Sequence, residues 1–164
     1  MSYADLLVSV VAFAAIGSGL MGGLFFVFSN AVMPALARLA PERAVAFMQA
    51  VNVTILNPLF LFLFVGTAVA CAFLLLGALI GWHPPTLNVL AGAALYLIGA
   101  FGVTAAGNVP LNNALAEREG ADAIAFWPDY AARWTRWNHV RTVASIAAAG
   151  FLTLGLYDLA TLTL

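Results

Sequence analysis

The chain has 164 residues, 64% of them apolar and 8% charged, with six arginines, no lysine, seven acids and a net charge of −1. Soluble domains carry roughly 45–50% apolar and about 25% charged residues, so this chain cannot clothe a water-soluble surface. A soluble globular enzyme, a disordered chain and a partner for nucleic acid, which needs a basic patch, are all excluded, and the single cysteine, Cys71, leaves no disulfide or thiolate metal site within one copy.

A hydrocarbon core of about 30 Å takes about 20 apolar residues at 1.5 Å rise. Four stretches meet that requirement, at about 6–32, 59–80, 89–106 and 140–162. They predict an all-α, integral membrane four-helix bundle forming one domain over 1–164. The first stretch lacks a positive lead-in and is longer than a signal-peptide core, so it is expected to be a retained helix. Arg38 and Arg43 follow the first stretch, and Arg118, Arg133, Arg136 and Arg141 follow the third. Positive residues stay inside, so both arginine-bearing loops are expected to be cytoplasmic and both termini outside. Tyr3, Trp82 and Tyr157 then fall at the outer interface. The arginine-only, alanine-rich composition suggests a bacterial inner membrane.

The first helix carries small residues at Ala15, Ser18, Gly19, Gly22 and Gly23. Such spacing lets backbones approach closely in lipid. It serves packing inside the bundle, with the matching Ser145, Ala149 and Thr153 of the fourth helix as partner, or a homo-oligomer through the Gly19/Gly23 face.

The first loop holds its own helix signal. Pro41 suits a first helical position and Glu42 the first turn, and 42–56 is apolar enough to form an extra amphipathic helix at the membrane. Gln49 and Asn52 share one face of it. Asn57-Pro58 ends it before the second span.

Residues 108–138 hold most of the chemistry. Asn108, Asn112 and Asn113 gather around Pro110, which is expected to stop the third helix. Trp127-Pro128 is expected to start a new helix, with Pro128 first, running unbroken into an extended fourth span. On that helix Tyr130, Trp134, Trp137 and Arg141 fall within about 60° of one another, with Asn138 at the border. Asp129 is spaced to pair with Arg133, and His139 points away from Tyr130. The rings could be an interfacial anchoring belt. A belt, however, has no use for Asn138, or for the amides Asn30, Gln49, Asn52, Asn108 and Asn112 at the same end of the bundle. Amides and a guanidinium walled by aromatics describe a pocket for a small apolar or aromatic molecule, and membrane lipid is a further expected partner.

Four blocks carry a family resemblance: Phe28-Ser29 with Val32-Met33-Pro34-Ala35-Leu36; Met48-Gln49-x-Val51-Asn52 with Ile55-Leu56-Asn57-Pro58-x-Phe60; Asn108-x-Pro110-Leu111-Asn112; and Trp134-x-x-Trp137-Asn138-x-x-Arg141. In this order they resemble the anthrone-oxygenase-like family of small four-helix membrane proteins. The resemblance implies oxidation of an anthrone to an anthraquinone by O₂ with no cofactor. It implies catalytic roles for Asn108, Asn112, Asn138 and Arg141 in holding a substrate anion. Tyr130, Trp134 and Trp137 would form the slot, and Asn30, Gln49, Asn52 and Asn57 would join in substrate binding. No metal site is expected, and no side chain stands out as the base. A binding or carrier protein for an apolar ligand, and an accessory membrane subunit, are the alternatives.

Overall fold

The computed structural model describes residues 3–81 and 86–162; Trp82, His83 and the side chain of Tyr3 lie outside them. Four helices are long and apolar enough to cross a membrane, Ala4–Leu36, Pro58–Leu79, Leu87–Ala116 and Gly120–Thr161. The fold is thus an all-α, four-span membrane bundle.

The first span is α1 (Tyr3–Val27), a π-helical turn at Phe28–Val32 and the short α2 (Met33–Leu36). It continues past the expected end at 32, with Pro34 inside the continuous helix, in the turn after the π segment where the hydrogen-bond register is already changing. The loop helix α3 (Pro41–Thr54) begins on Pro41 with Glu42 in its first turn, as the sequence suggested. Asn57 then caps α4 (Pro58–Leu79), its side-chain oxygen accepting from Phe60 N–H at 3.0 Å. Gly81, at φ +71°, turns the chain after α4. Thr86 caps α5 (Leu87–Ala94) by accepting from Val89 N–H at 3.4 Å.

Two expectations about proline need correction. Pro110 does not stop the third span. After α5 the chain passes through π-helical segments at Leu95–Gly102 and Thr104–Asn108 and runs on as α6 (Val109–Ala116). A π turn shifts the hydrogen-bond register by one residue, so the proline falls where the ladder is already changing partners. Nor does Pro128 start a helix. It lies inside α7 (Gly120–Leu162), a single helix of 43 residues. One bond to the carbonyl of Ile124 is forfeited, while Ala123, Trp127 and Tyr130, all buried in one apolar cluster, hold the turns on either side.

The most extensive helix contact joins α1 to α7. A Cβ on Gly22 would stand 2.9 Å from Ile146 Cγ1 and 3.2 Å from the Ile146 backbone nitrogen, and one on Gly19 would stand 3.9 Å from the Ala149 methyl. The small-residue stripes of the first and fourth spans therefore face each other. Gly23 has nothing within 4 Å of that position and faces outward. The main core includes Val11, Met21, Phe64, Tyr96 and Leu152, and Tyr96 Oη donates to the Phe64 carbonyl at 3.0 Å. A second apolar cluster closes the loop end of the bundle. There α3 folds back against α6 and α7, burying Ala44, Val45 and Met48 with Leu115, Tyr130 and Trp134. Its other face stays open, with Val53 74% exposed.

Candidate functional site

One face of α7 is buried through Trp127, Tyr130, Trp134, Asn138, Arg141 and Ser145, at helical steps of three and four. Asn138, expected at the border of the strip, is fully buried there. Trp137 leaves it: the indole is 43% exposed and lies over Gly107, where a Cβ would sit 2.7 Å from the ring. A step of three from Trp134 turns Trp137 to one side of the strip, and the glycine of the third span gives it a flat seat there.

Arg141 is buried at the loop end of the bundle. Its Nη2 donates to Asn138 Oδ1 at 2.6 Å and its Nη1 to Thr104 Oγ1 at 3.2 Å. The guanidinium carbon lies 4.2 Å from the centre of the Phe25 ring and 5.2 Å from that of Trp134, within cation–π range of both. The Nε atom has no hydrogen-bond partner. Asn138 is itself anchored across the bundle, its Nδ2 donating to the Phe25 carbonyl and to Ser29 Oγ at 2.7 Å each. Among the described residues the ion pairs Arg118–Asp122 and Arg133–Asp129 both involve exposed carboxylates, and neither includes Arg141. Among the described residues the guanidinium meets only neutral dipoles and rings. A buried charge left in this state is costly.

A second knot lies beside it. Asn112 Oδ1 accepts from Tyr130 Oη at 3.1 Å and from Trp134 Nε1 at 2.9 Å, and Asn52 Nδ2 donates to Tyr130 Oη at 3.4 Å. Asn108 Nδ2 donates to the Trp134 carbonyl at 3.2 Å, while its buried Oδ1 has no partner. Gln49 Nε2 donates to the carbonyls of Leu115 and Arg118 at 2.9 and 3.0 Å, closing the C-terminal end of α6. Arg118 also donates back to the Ala114 carbonyl.

These groups border one cavity of about 410 Å³. Its polar lining is Gln49, Asn52, Thr104, Asn108, Asn112, Asn113 and Arg141, and its walls include Phe25, Phe28, Phe60, Phe64 and Trp134. Of the residues singled out in the sequence, Gln49, Asn52, Asn108, Asn112, Trp134 and Arg141 thus come together. Tyr130 and Asn138 are fully buried behind the lining and reach it through Asn112 and Arg141. Asn30, Asn57 and Trp137 do not reach it. Asn30 is exposed on the π turn of the first span, Asn57 is spent on capping α4, and Trp137 faces outward. The four phenylalanines were not legible as site residues, because within apolar spans an aromatic is indistinguishable from core packing. Thr104 was equally hidden, in a span with no other mark of polarity. His139 is exposed in a separate outer groove with Ile98 and Val143, turned away from the cavity as helical spacing implied. Asp129 does pair with Arg133, at 3.1 Å.

The fold and the site together define a small four-span membrane protein with an aromatic-walled cavity at the loop end of its bundle, one buried cation at its inner end. The chain belongs to the anthrone oxygenase family, whose sequence profile matches residues 59–151. That match takes in Asn108, Asn112, Trp134 and Arg141, and leaves the contributions of the first span and α3 outside it. No curated protein and no solved structure matches this chain.

Proposed function

We propose that this chain oxidises a small aromatic ketone of anthrone type with dioxygen, inside the cavity under Arg141. The single observation that carries this reading is a buried guanidinium that borders an aromatic-walled cavity with no carboxylate to neutralise it. Such an arrangement favours a ligand that becomes negative. An anthrone fits, because loss of a proton beside its ketone gives an aromatic oxyanion. At about 4 Å and an effective dielectric near 20, one guanidinium stabilises one such charge by roughly 4 kcal/mol. That is close to a thousandfold in acidity or in rate.

The reaction balances without a further reductant. The methylene carbon of the anthrone loses both hydrogens and gains one oxygen atom of O₂; the other oxygen atom leaves with those hydrogens as water. The electron-rich anion is the electron donor and O₂ the acceptor. Phe25, Phe28, Phe60, Phe64 and Trp134 supply a flat apolar slot. Arg141 holds the oxyanion, with Asn138 fixing the guanidinium from behind, and Asn112, held by Tyr130 and Trp134, borders the ring. The proton passes to solvent at the loop-side rim, where exposed Asn113 borders the cavity. By the positive-inside distribution of arginine, that rim is cytoplasmic.

One observation favours a second reading, a binding or carrier protein that leaves its ligand unchanged: among the described residues no carboxylate, imidazole or thiol lines the cavity. Purified protein in lipid nanodiscs distinguishes the two. With anthrone added, oxygen uptake and anthraquinone absorbance are expected to rise together above the protein-free rate, and to fall about a hundredfold or more in Arg141→Met. A rate equal to background, or one unchanged in Arg141→Met, overturns the oxidation reading.

A further inference from the structure

We propose that the cavity takes its ligand sideways from the bilayer, as a neutral, membrane-dissolved phenol, rather than as a water-borne anion. This deepens the reading above and rests on it for the aromatic class of the ligand. Two independent sets of observations carry it, one at the mouth and one at the inner end.

Apart from Asn113 at the loop-side rim, the exposed lining of the cavity is apolar. Val53, Leu56, Leu61 and Val65 each line the cavity and are 74%, 63%, 38% and 40% exposed. Leu61 and Val65 belong to α4, three and seven residues beyond Pro58. At about 1.5 Å per residue that is roughly 4–11 Å along the span, within the depth of acyl chains and headgroup boundary. Across the gap stands Val109, 42% exposed and also on the cavity wall. The gap has a structural origin. The second span packs against α5 and the Leu95–Gly102 segment. Its contacts with the third span are concentrated there, and the stretch of the third span beyond Thr104 leans toward α3 and α7 instead. The two spans therefore part at the loop end, and the cavity opens between them toward lipid.

The inner end is polar and incomplete. Arg141 Nε is a buried donor without an acceptor, and Asn108 Oδ1 is a buried acceptor without a donor; both residues line the cavity. A hydroxyl matches the chemistry of both, able to accept from the guanidinium and to donate to the amide oxygen once these side chains turn toward the cavity. A methyl ether could only accept. A carboxylate would satisfy Arg141, but would leave Asn108 Oδ1 facing a second acceptor. It would also carry its charge past the apolar rim, where an ion is expensive. A phenol passes that rim uncharged. The specificity therefore lies in the pair: the rim selects against charge, and Asn108 with Arg141 selects for an oxygen that still bears its hydrogen.

The test uses the full chain in nanodiscs and three probes that cannot be oxidised as an anthrone is: a hydroxyanthraquinone, its O-methyl ether, and the matching anthraquinone carboxylate. Quenching of tryptophan fluorescence reads binding, since Trp134 lines the cavity. The hydroxyl compound is expected to bind at least tenfold tighter than either analogue. Asn108→Leu is expected to erase its advantage over the ether. Narrowing the mouth with Leu61→Phe plus Val65→Phe is expected to slow association tenfold or more, while Val69→Phe, which is exposed but off the cavity, leaves it unchanged. Thermal unfolding of each variant guards against misfolding. A carboxylate bound as tightly as the phenol, or an association rate indifferent to the Leu61 and Val65 changes in a folded variant, overturns the inference. Turnover of anthrone is scored separately: probes bound in the expected order by a protein that does not consume oxygen would overturn the oxidation reading and leave this one standing.

Discussion

Asn138→Leu puts the largest demand on the account. The residue is fully buried and does not border the cavity, yet its amide makes three short hydrogen bonds, two to the first span and one to Arg141. Leucine fills nearly the same volume and makes none of them. The bond to the guanidinium is worth about 1.5–3 kcal/mol and each neutral bond about 0.5–1.5, with values near the low end usual between helices in lipid. A loss of about 3 kcal/mol of stability is therefore expected, read as a shift in the midpoint of unfolding in mixed detergent micelles followed by circular dichroism. Packing loss alone would not move the second readout. With Nη2 released, the guanidinium loses one of two side-chain anchors, so affinity for the hydroxyanthraquinone is expected to fall at least tenfold while that for anthracene, which offers the guanidinium no oxygen, stays within twofold. A variant as stable as the parent to within about 0.5 kcal/mol, with both affinities intact, would refute the reasoning that Asn138 positions Arg141.

Three further outcomes are expected. Gly22→Ala, pressed toward Ile146, is expected to cost about 1–3 kcal/mol in the same unfolding assay, whereas Gly23→Ala, with open space around it, changes stability by less than about 0.5 kcal/mol. Gln49→Ala removes the donor that closes α6 and is expected to raise amide hydrogen exchange across Pro41–Thr54 and Val109–Ala116, at a stability cost of about 1–2 kcal/mol. Asp129→Asn breaks an exposed pair and is expected to change stability by less than about 0.5 kcal/mol, with no effect on probe binding.

Much of the architecture was legible because lipid leaves little choice. Spans must be apolar, long and helical, and the loop helix announced itself through Pro41 and Glu42. The proline misreadings share one cause. Pro110 and Pro128 forbid a hydrogen bond locally, but a π turn in one case and buried flanking turns in the other carried the helix past them, and neither compensation has a mark in a single sequence. At the site, residues of anomalous polarity were readable as a group: Gln49, Asn52, Asn108, Asn112 and Arg141 converge on one cavity. Asn57 shows the limit of that signal, since an amide before a proline is as well explained by capping. Trp137 shows another, because helical spacing alone does not say which edge of a strip faces inward until Gly107 is known to sit under the ring. The phenylalanine walls could not be read at all, as nothing in an apolar run separates a ring that packs from a ring that receives.

The central claim is that Arg141 is kept buried without a carboxylate so that it can hold an aromatic oxyanion. The absorption spectrum of a bound hydroxyanthraquinone tests it most directly, because the phenolate band lies well to the red of the phenol band. Titrated while bound, the hydroxyanthraquinone is expected to turn to its phenolate at a lower pH than the free compound, because Arg141 stabilises the anion, and Arg141→Met is expected to remove that lowering while the ring still binds. A bound compound that ionises at the same pH as the free one or higher, or a lowering that survives Arg141→Met, would contradict the account.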